Sequence, residues 1–486
     1  MLRLSSAAAV LAACCVVRPA MAQTPAPPPA PSSPAPALPP PIPPAPGQPG
    51  QPATPPTAAF DEALDRLLAQ PGGLTAEAVA ERAARASTAG ERKDAETVQA
   101  REKVREIQRA IMPLVTVGAS YTRLSELDAP QLAPGVSIPL FFNSWHLGGD
   151  VSLPLTDLFI RLPTARDSAQ DGVVASELGA RAARLSAAAD AEVTFYEWIR
   201  AQLQVAVTTQ LVDQVKANVG QVQALVDVKR AAVSDLLRIQ AQQADAELGL
   251  ARIRELVTIR ELQLRLAIGA PDDEKLTIGE DVRSAVEVPP LPATDQLVTD
   301  ARGRRLEAKA ITAASSAVER ALAGSKVGAL PHVDLFGQVV YDNPNQRVFP
   351  QQDDFKLTWA AGVRVTWSLN NYLSVDPEVE QARAQVHALA ADQHALALGI
   401  RTEIESARSS LELADRTAES TAQGLASAEE GYRVRQELLA NERATAIELV
   451  DAATALTQAR FAAIDALIDR RIAWVRLRHA AGLDLP

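Results

Sequence analysis

The sequence predicts a mixed α and β membrane protein with an internal two-fold repeat, on three observations. Proline is absent from Glu378 to Leu485, so a helical hairpin longer than those of ordinary globular domains is predicted at about 375–481. A similar hairpin is predicted at about 164–269, at a constant offset of 213 residues. Two segments with alternating polar and apolar residues precede each hairpin, which indicates two copies of one structural unit.

The first 22 residues have the composition of an export signal. Arg3 precedes an apolar run, and Ala20-Met21-Ala22 forms a small-residue cleavage site. We therefore predict a signal peptide at 1–22. Residues 11–14 also have the form of a lipoprotein box, in which Cys14 would be acylated. Cleavage after Ala22 is favoured because a linker follows directly.

Residues 23–73 are predicted to form a disordered linker. Half of the 34 prolines lie between Gln23 and Thr57, interleaved with Ala, Gly and Ser. This composition is typical of a polyproline-like spacer and not of a packed domain. No later stretch approaches 18 consecutive apolar residues, so any crossing of a membrane would have to use strands.

The first repeat is assigned to residues 74–270. Helical periodicity over 74–86 and 91–112 predicts two helices, separated at Gly90 and ended by Pro113. The period then changes from 3.6 to 2, which predicts strands at about 114–124 and 145–156. Each strand has one apolar and one polar face.

A connector with an equatorial helix occupies 271–327, and the second repeat occupies 328–486. The equatorial helix is predicted as one element over 294–326, and the second repeat has predicted strands at about 332–341 and 355–369. Alternation over ten residues with aromatic residues near the ends is typical of transmembrane strands. A soluble sheet with one solvated face gives the same pattern. The export signal favours the membrane interpretation, and four strands need partners from other copies of the chain.

The last helix carries two adjacent apolar seams. Residues 449–481 follow a heptad spacing of +4 and +3, and a second seam runs beside it through Phe461, Ile464, Ile468, Ile472 and Val475. Two seams predict two helical neighbours, one on each side, as for a stave in a helical barrel.

Composition and motif content exclude several classes of protein. The net charge of −11 gives no basic surface for nucleic acid. Both cysteines, Cys14 and Cys15, lie in the leader, so the folded part has no thiol nucleophile or cysteine metal site. The five histidines have no metal-ligand spacing and no phosphate-binding loop is present. We predict no enzyme activity, no cofactor and no metal site.

The duplicated hairpin tips carry a resemblance to a known family. Val233–Leu237 corresponds to Ala446–Val450, and both arms end in glycine, at Gly269 and Gly482. Over roughly 75–485 this order of elements resembles the TolC-like outer-membrane factor family, the outer-membrane efflux proteins of Gram-negative bacteria. The resemblance implies a trimeric transmembrane β-barrel, with four strands from each protomer, continued by a long periplasmic α-helical coiled-coil barrel.

The resemblance also implies a function. A homotrimer in the outer membrane would act as the exit duct of a tripartite efflux or secretion system, conducting substrates passively from a periplasmic adaptor and an inner-membrane transporter. Two alternatives stay open at this point. One is an exported, non-channel coiled-coil spacer of the cell envelope, and the other, within the class, is a type I protein secretion duct.

The hairpin tips depart from the family pattern. They are expected to contact the adaptor through four residues: Lys229, Asp235, Glu442 and Arg443. Lys229 and Glu442 replace the tip glycines of the family, which puts a tight backbone turn at either tip in question. The family also links an Asp of the first hairpin to a basic and a tyrosyl residue of the second. Here Asp235 is present, but the partner positions hold Ala444 and Leu439, so a rearranged link is expected.

Two acidic residues are candidates for the channel gate. By resemblance, Glu448 and Asp451 stand where lumen-facing acids form the narrowest, cation-attracting ring. Their i, i+3 spacing places both carboxylates on one helix face. Threefold symmetry would gather six carboxylates at one constriction. The alternative is a solvated acidic stripe on a helix surface.

Overall fold

The computed structural model describes residues 62, 64–126, 131–133, 136–137, 140–284, 286, 288–326, 330–367, 369–441 and 443–484. The predicted signal peptide, Cys14, most of the predicted linker and Glu442 lie outside this range. Within the described part of the chain, no helix combines the length and apolar character needed to cross a membrane.

Helices α1 at Ala76–Ala86 and α2 at Thr88–Arg109 lie before the first strand. The sequence predicted a break between them at Gly90, but the break lies at Ser87. Ser87 has an extended backbone, and its hydroxyl accepts a hydrogen bond from the Gly90 amide at 3.0 Å. The serine therefore caps α2, and Gly90 lies inside its first turn.

Among the residues that the structure describes, six strands form two sheets. The strands are β1 Leu114–Arg123, β2 Gln131–Ala133, β3 Val136–Ser137, β4 Asn143–Pro154, β5 His332–Asn343 and β6 Lys356–Thr366. One antiparallel sheet has the order β1-β4-β5-β6, and β2 pairs with β3 in a second, two-stranded sheet. In the larger sheet the central β4–β5 pair joins a strand from each half of the chain.

The four-stranded sheet exposes an apolar face. In its register Val151 lies opposite Val115 on β1 and opposite Gly337 on β5, and Val363 lies opposite Leu335. Exposed apolar side chains on this face include Val117, Leu147, Val151, Val339, Leu357, Trp359, Val363 and Val365. Polar residues such as Thr116, His146, Asp150, Gln338 and Arg364 alternate with them. Two aromatic pairs lie where the strands meet their long loops: Tyr121 with Trp145, and Tyr341 with Phe355.

Two long helical hairpins follow the strands. The first hairpin consists of α3 Leu162–Asp227 and α4 Val233–Ile268, and a π-helical turn at Asp157–Arg161 joins it to β4. The second hairpin consists of α7 Leu369–Ala440 and α8 Ala446–Ala480. The 66 residues of α3 span about 100 Å at 1.5 Å per residue.

The connector contains two helices where one was predicted. These are α5 Thr294–Arg304 and α6 Leu306–Ser325, separated by Arg305 in an extended conformation (φ −57°, ψ 132°). The buried Arg305 guanidinium forms ion pairs with Glu307 and with Glu403 of α7. An Ala- and Arg-rich sequence gives no sign of this break, because the partner that holds Arg305 lies on a distant helix.

Helix α8 lies between α7 and α3 and buries a seam against each. On the first seam Leu449, Ala453 and Leu456 form a cluster with Tyr432 of α7. On the second seam Ile464, Ile468, Ile472 and Val475 join the largest core cluster, together with Phe195, Trp198 and Ile199 of α3. That cluster also takes in residues of α1, α4 and the connector, so both hairpins and the connector meet there.

Candidate functional site at the hairpin tips

The tip of the first hairpin is a tight turn built around Lys229. Lys229 adopts the left-handed conformation with φ of 59°. The Arg230 amide donates to the Leu225 carbonyl at 2.8 Å, and the Lys229 amide donates to the Val226 carbonyl at 2.9 Å. These two bonds form the motif that usually ends a helix with glycine. The doubt that the missing glycine raised about this turn was therefore misplaced.

The tip of the second hairpin has a corresponding hydrogen bond. The Arg443 amide donates to the Leu438 carbonyl at 2.8 Å, at the same offset of 213 residues from the Arg230 bond. Helix α8 then begins with Thr445, whose hydroxyl accepts from the Glu448 amide while the Glu448 carboxylate accepts from the Thr445 amide. This reciprocal capping box fixes the first turn of α8.

A cavity of about 1060 Å³ lies between the two tips. Its walls come from both hairpins and include Gln221, Arg230 and Asp235 from the first, and Tyr432 and Leu449 from the second. Asn218, also in the wall, is only 8% exposed, and its Nδ2 has no hydrogen-bond partner among the described residues. A buried donor of this kind is satisfied by a ligand, a partner side chain or water.

The three positions of the family's polar link do meet at this cavity. Asp235, Leu439 and Ala444 all line it, but the two partner side chains are apolar and cannot bond the carboxylate. Tyr432, one heptad before Leu439, is the tyrosine that faces the cavity. It is 5% exposed, and its burial raises the pKa of the phenol. Tyr432 was not predicted as a site residue, although its heptad position signals a buried residue.

A buried arginine also connects the two hairpins above the cavity. Arg460 of α8 is 3% exposed. Its Nη1 donates to Gln210 Oε1 of α3 at 2.5 Å, and its Nη2 lies 3.7 Å from Glu429 Oε1 of α7. The heptad spacing over 449–481 places this residue in the first apolar seam, but its contacts make it a polar bridge between the first and second hairpins.

The two candidate gate residues have different surroundings. Glu448 takes part in the capping box and also lies 3.2 Å from Arg435 of α7. Asp451 lies one turn further along α8 with an exposed side chain, and the described residues supply it with no ion pair. Spacing along one helix could not reveal Arg435. Arg435 and Glu448 are nearly equidistant from position 442, but that relation becomes informative only once the geometry of the turn is known.

The remaining predicted tip residues are placed as follows. Asp235 is half buried in the first turn of α4, and Arg443 is exposed after the second turn. Glu442 lies outside the described residues. In the described part of the chain, no group of three or more His, Cys, Asp or Glu side chains is arranged to hold a metal ion.

Away from the tips, near the end of α8 and the middle of α3, a connector clamp holds 280–284 against α8. Arg471, buried at 7% exposure, pairs with Glu280 and donates to the carbonyls of Asp281 at 3.0 Å and Ser284 at 2.9 Å. Tyr196 of α3 donates to the same Glu280 carboxylate at 3.1 Å. The clamp ties the connector to both hairpins.

Comparison with known families gives one match. A family model described as outer membrane efflux protein matches residues 92–270, which run from α2 through the first hairpin. No curated protein matches the chain significantly.

Solved structures with the same fold include outer-membrane proteins, two of which are described as channels. The CmeC channel of Campylobacter jejuni is 15% identical with a TM-score of 0.70, and the match covers 87% of this chain and 86% of that one. The MtrE channel of Neisseria gonorrhoeae, in its open state, is 17% identical with a TM-score of 0.69, covering 84% and 88%. VceC of Vibrio cholerae is 16% identical with a TM-score of 0.69, covering 84% and 96%. At these identities the likeness establishes the fold.

Proposed function

Because residues 92–270 match the family model described as outer membrane efflux protein, we propose that three copies of this chain form a passive exit duct through the outer membrane. The predicted resemblance to this family is confirmed. So are the predicted outer-membrane location with a periplasmic helical extension and the absence of an enzymatic role. The proposed duct receives its substrate from a periplasmic adaptor and an inner-membrane transporter.

The exposed apolar face of the four-stranded sheet carries this proposal. Strands β1 and β6 are the edges of that sheet, and each leaves one side unpaired within the described chain. Apolar side chains such as Val117 and Trp359 are more than 70% exposed. Such a face suits hydrocarbon and not water. Pairing β6 of one copy with β1 of the next would close a twelve-stranded barrel and satisfy both edges.

The helices support the same assembly. On α4, Ile259, Leu262 and Leu266 are 53%, 52% and 74% exposed at i, i+3 and i+7 spacing, and on α7 Leu413 is 66% exposed. A helix that is apolar on more than its packed side needs a further neighbour. Neighbouring protomers in a helical barrel would supply it.

In this proposal the tips have two roles. Lys229, Asp235, Glu442 and Arg443 contact the adaptor, and the cavity between the tips offers a recess lined by both hairpins. The inner surface forms the gate, where Glu448 and Asp451 of three protomers ring the constriction.

The test is assembly and conductance of the purified protein. Extracted in detergent, the chain should run as a trimer that dissociates on heating, and it should give discrete single-channel steps in planar bilayers. A water-soluble monomer or dimer without conductance would instead identify the non-channel spacer of the cell envelope.

A further inference from the structure

We propose that Arg435 sets the charge of the channel gate, so that Asp451 and not the Glu448–Asp451 pair carries the cation preference. This rests on the proposed function, because it names the groups that determine selectivity at that gate. Each protomer would contribute +1 from Arg435, −1 from Glu448 and −1 from Asp451. Three protomers then give the constriction a net charge of −3, where the two acids alone would give −6.

The geometry places the Glu448 carboxylate beside the Arg435 guanidinium. Their closest atoms, Nη1 and Oε2, lie 3.2 Å apart, across the turn that joins α7 to α8. The same Glu448 Oε2 accepts from the Thr445 amide at 3.1 Å. The carboxylate is therefore held from two sides, by the start of its own helix and by the partner helix, and it remains beside the guanidinium.

Among the described residues, Glu448 is the ion-pair partner of Arg435, and the nearby charges on α7 pair with one another. Arg433, two residues earlier on α7, forms ion pairs with Glu430 and Glu437 of its own helix. Two residues along a helix turn a side chain by about 200°, so Arg433 faces away from Arg435. Asp451 has no ion pair among the described residues, and its side chain is exposed.

The short distance between the Arg435 and Glu448 charges determines how the pair acts on permeating ions. Opposite charges 3.2 Å apart act as a dipole, whose field falls faster with distance than that of the single charge on Asp451. A narrow pore with low-dielectric walls focuses the field of the net charge. Because both members of the pair are nearly half exposed, the pair adds little to stability. Its effect is on selectivity.

The experiment measures reversal potential in asymmetric KCl, and block by La³⁺, for channels in planar bilayers. Arg435→Gln should raise cation preference and tighten block by about tenfold. Removing the pair together, as Arg435→Gln/Glu448→Gln, keeps the net charge and should stay near the wild-type values. Asp451→Asn should lose most of the cation preference. Glu448→Gln/Asp451→Asn leaves Arg435 unopposed and should move selectivity towards anions.

Two further variants keep the test decisive. Arg433→Gln is the matched control, and Arg435→Lys preserves the charge, so both should behave as wild type. If Arg435→Gln fails to assemble, the role of Arg435 is still tested by comparing the selectivity of Arg435→Gln/Glu448→Gln with that of Asp451→Asn. Unchanged selectivity in Arg435→Gln, or a pair deletion as damaging as Asp451→Asn, would refute the role of Arg435. A wild-type protein without conductance would refute the proposed function instead.

Discussion

Lys229 shows how a single residue can accept an unfavourable backbone conformation. A side chain in the left-handed region costs roughly 1–2 kcal/mol, which is why glycine usually occupies this position. At the first tip two backbone hydrogen bonds to Leu225 and Val226 offset that cost. The penalty is small beside the bonds that it permits, so the absence of glycine from a sequence does not exclude the turn.

Replacing Lys229 by glycine should therefore tighten the first tip. Relief of about 1 kcal/mol of strain corresponds to roughly fivefold slower local opening. Hydrogen–deuterium exchange of the Arg230 amide, which bonds the Leu225 carbonyl, is the measurement. The control is Val228→Gly, at a position with φ of −91°, where glycine only adds chain entropy and exchange should become faster. Faster exchange in Lys229→Gly would show that the turn is not strained.

The individual site residues differ in how far the sequence reveals them. Glu448 and Asp451 could be named because their spacing and their place after the tip are visible in the chain. Arg435 and Arg460 could not, because each acts through a partner on another helix. Pairing across a turn depends on its length and geometry, which for these tips the structure alone supplies.

Among the elements, the last helix is the one that the sequence describes best. Its two seams are periodic over many turns, and the structure buries them against α7 and α3. The breaks at Ser87 and Arg305 were not predicted correctly, because each depends on a local hydrogen bond or a distant ion pair and not on periodicity.

The end of α8 is held by an interaction that should depend on pH. His479 Nδ1 lies 2.6 Å from Asp484 Oδ2. The hydrogen bond to Asp484 raises the pKa of His479 above its ordinary value, although burial and Arg305 oppose the shift. A histidine whose pKa is raised by folding stabilises the fold fully below its unfolded pKa, about 6.5, and loses that contribution as pH rises through the folded value.

Residues 481–484 should accordingly be better protected at pH 6 than at pH 8. Hydrogen–deuterium exchange, corrected for the intrinsic effect of pH on exchange, measures this. His479→Gln should remove the dependence, whereas His394→Gln, on the exposed surface of α7, should preserve it. Equal protection at both pH values in the unmodified protein would contradict a stabilising His479–Asp484 pair.

At the scale of the whole molecule, the fold class and the order of elements follow from two changes of period, from 3.6 to 2 and back, in each half of the chain. The pairing of β4 with β5, which unites the halves in one sheet, does not follow from these changes of period. Alternation says which face of a strand is apolar, but it does not say which strand lies beside it. The connector clamp at Arg471 was equally invisible, since its partners are mostly backbone carbonyls.

The proposed membrane position predicts opposite responses on the two faces of the sheet. Arginine at Val151 or Val363, which are 44% and 60% exposed on the apolar face, should cost about 2–4 kcal/mol per site near the middle of the bilayer and prevent trimer assembly. Arginine at Ser152 or Thr366 on the polar face should be tolerated. Trimer yield in outer-membrane fractions is the measurement, and equal tolerance on both faces would remove the sheet from the membrane.

The connector clamp has a consequence for how the protein is made. Arg471 lies 191 residues after Glu280, near the end of the chain, and the largest core cluster also waits for α8 to cover Phe195 and Trp198. The chain is synthesised and exported from its N-terminus. The apolar residues of the first half therefore stay exposed until α8, near the end of the chain, has emerged and can pack on them. The newly exported chain therefore needs protection from aggregation for the whole time of its delivery, and a stop a few turns before the end would leave both halves unfinished.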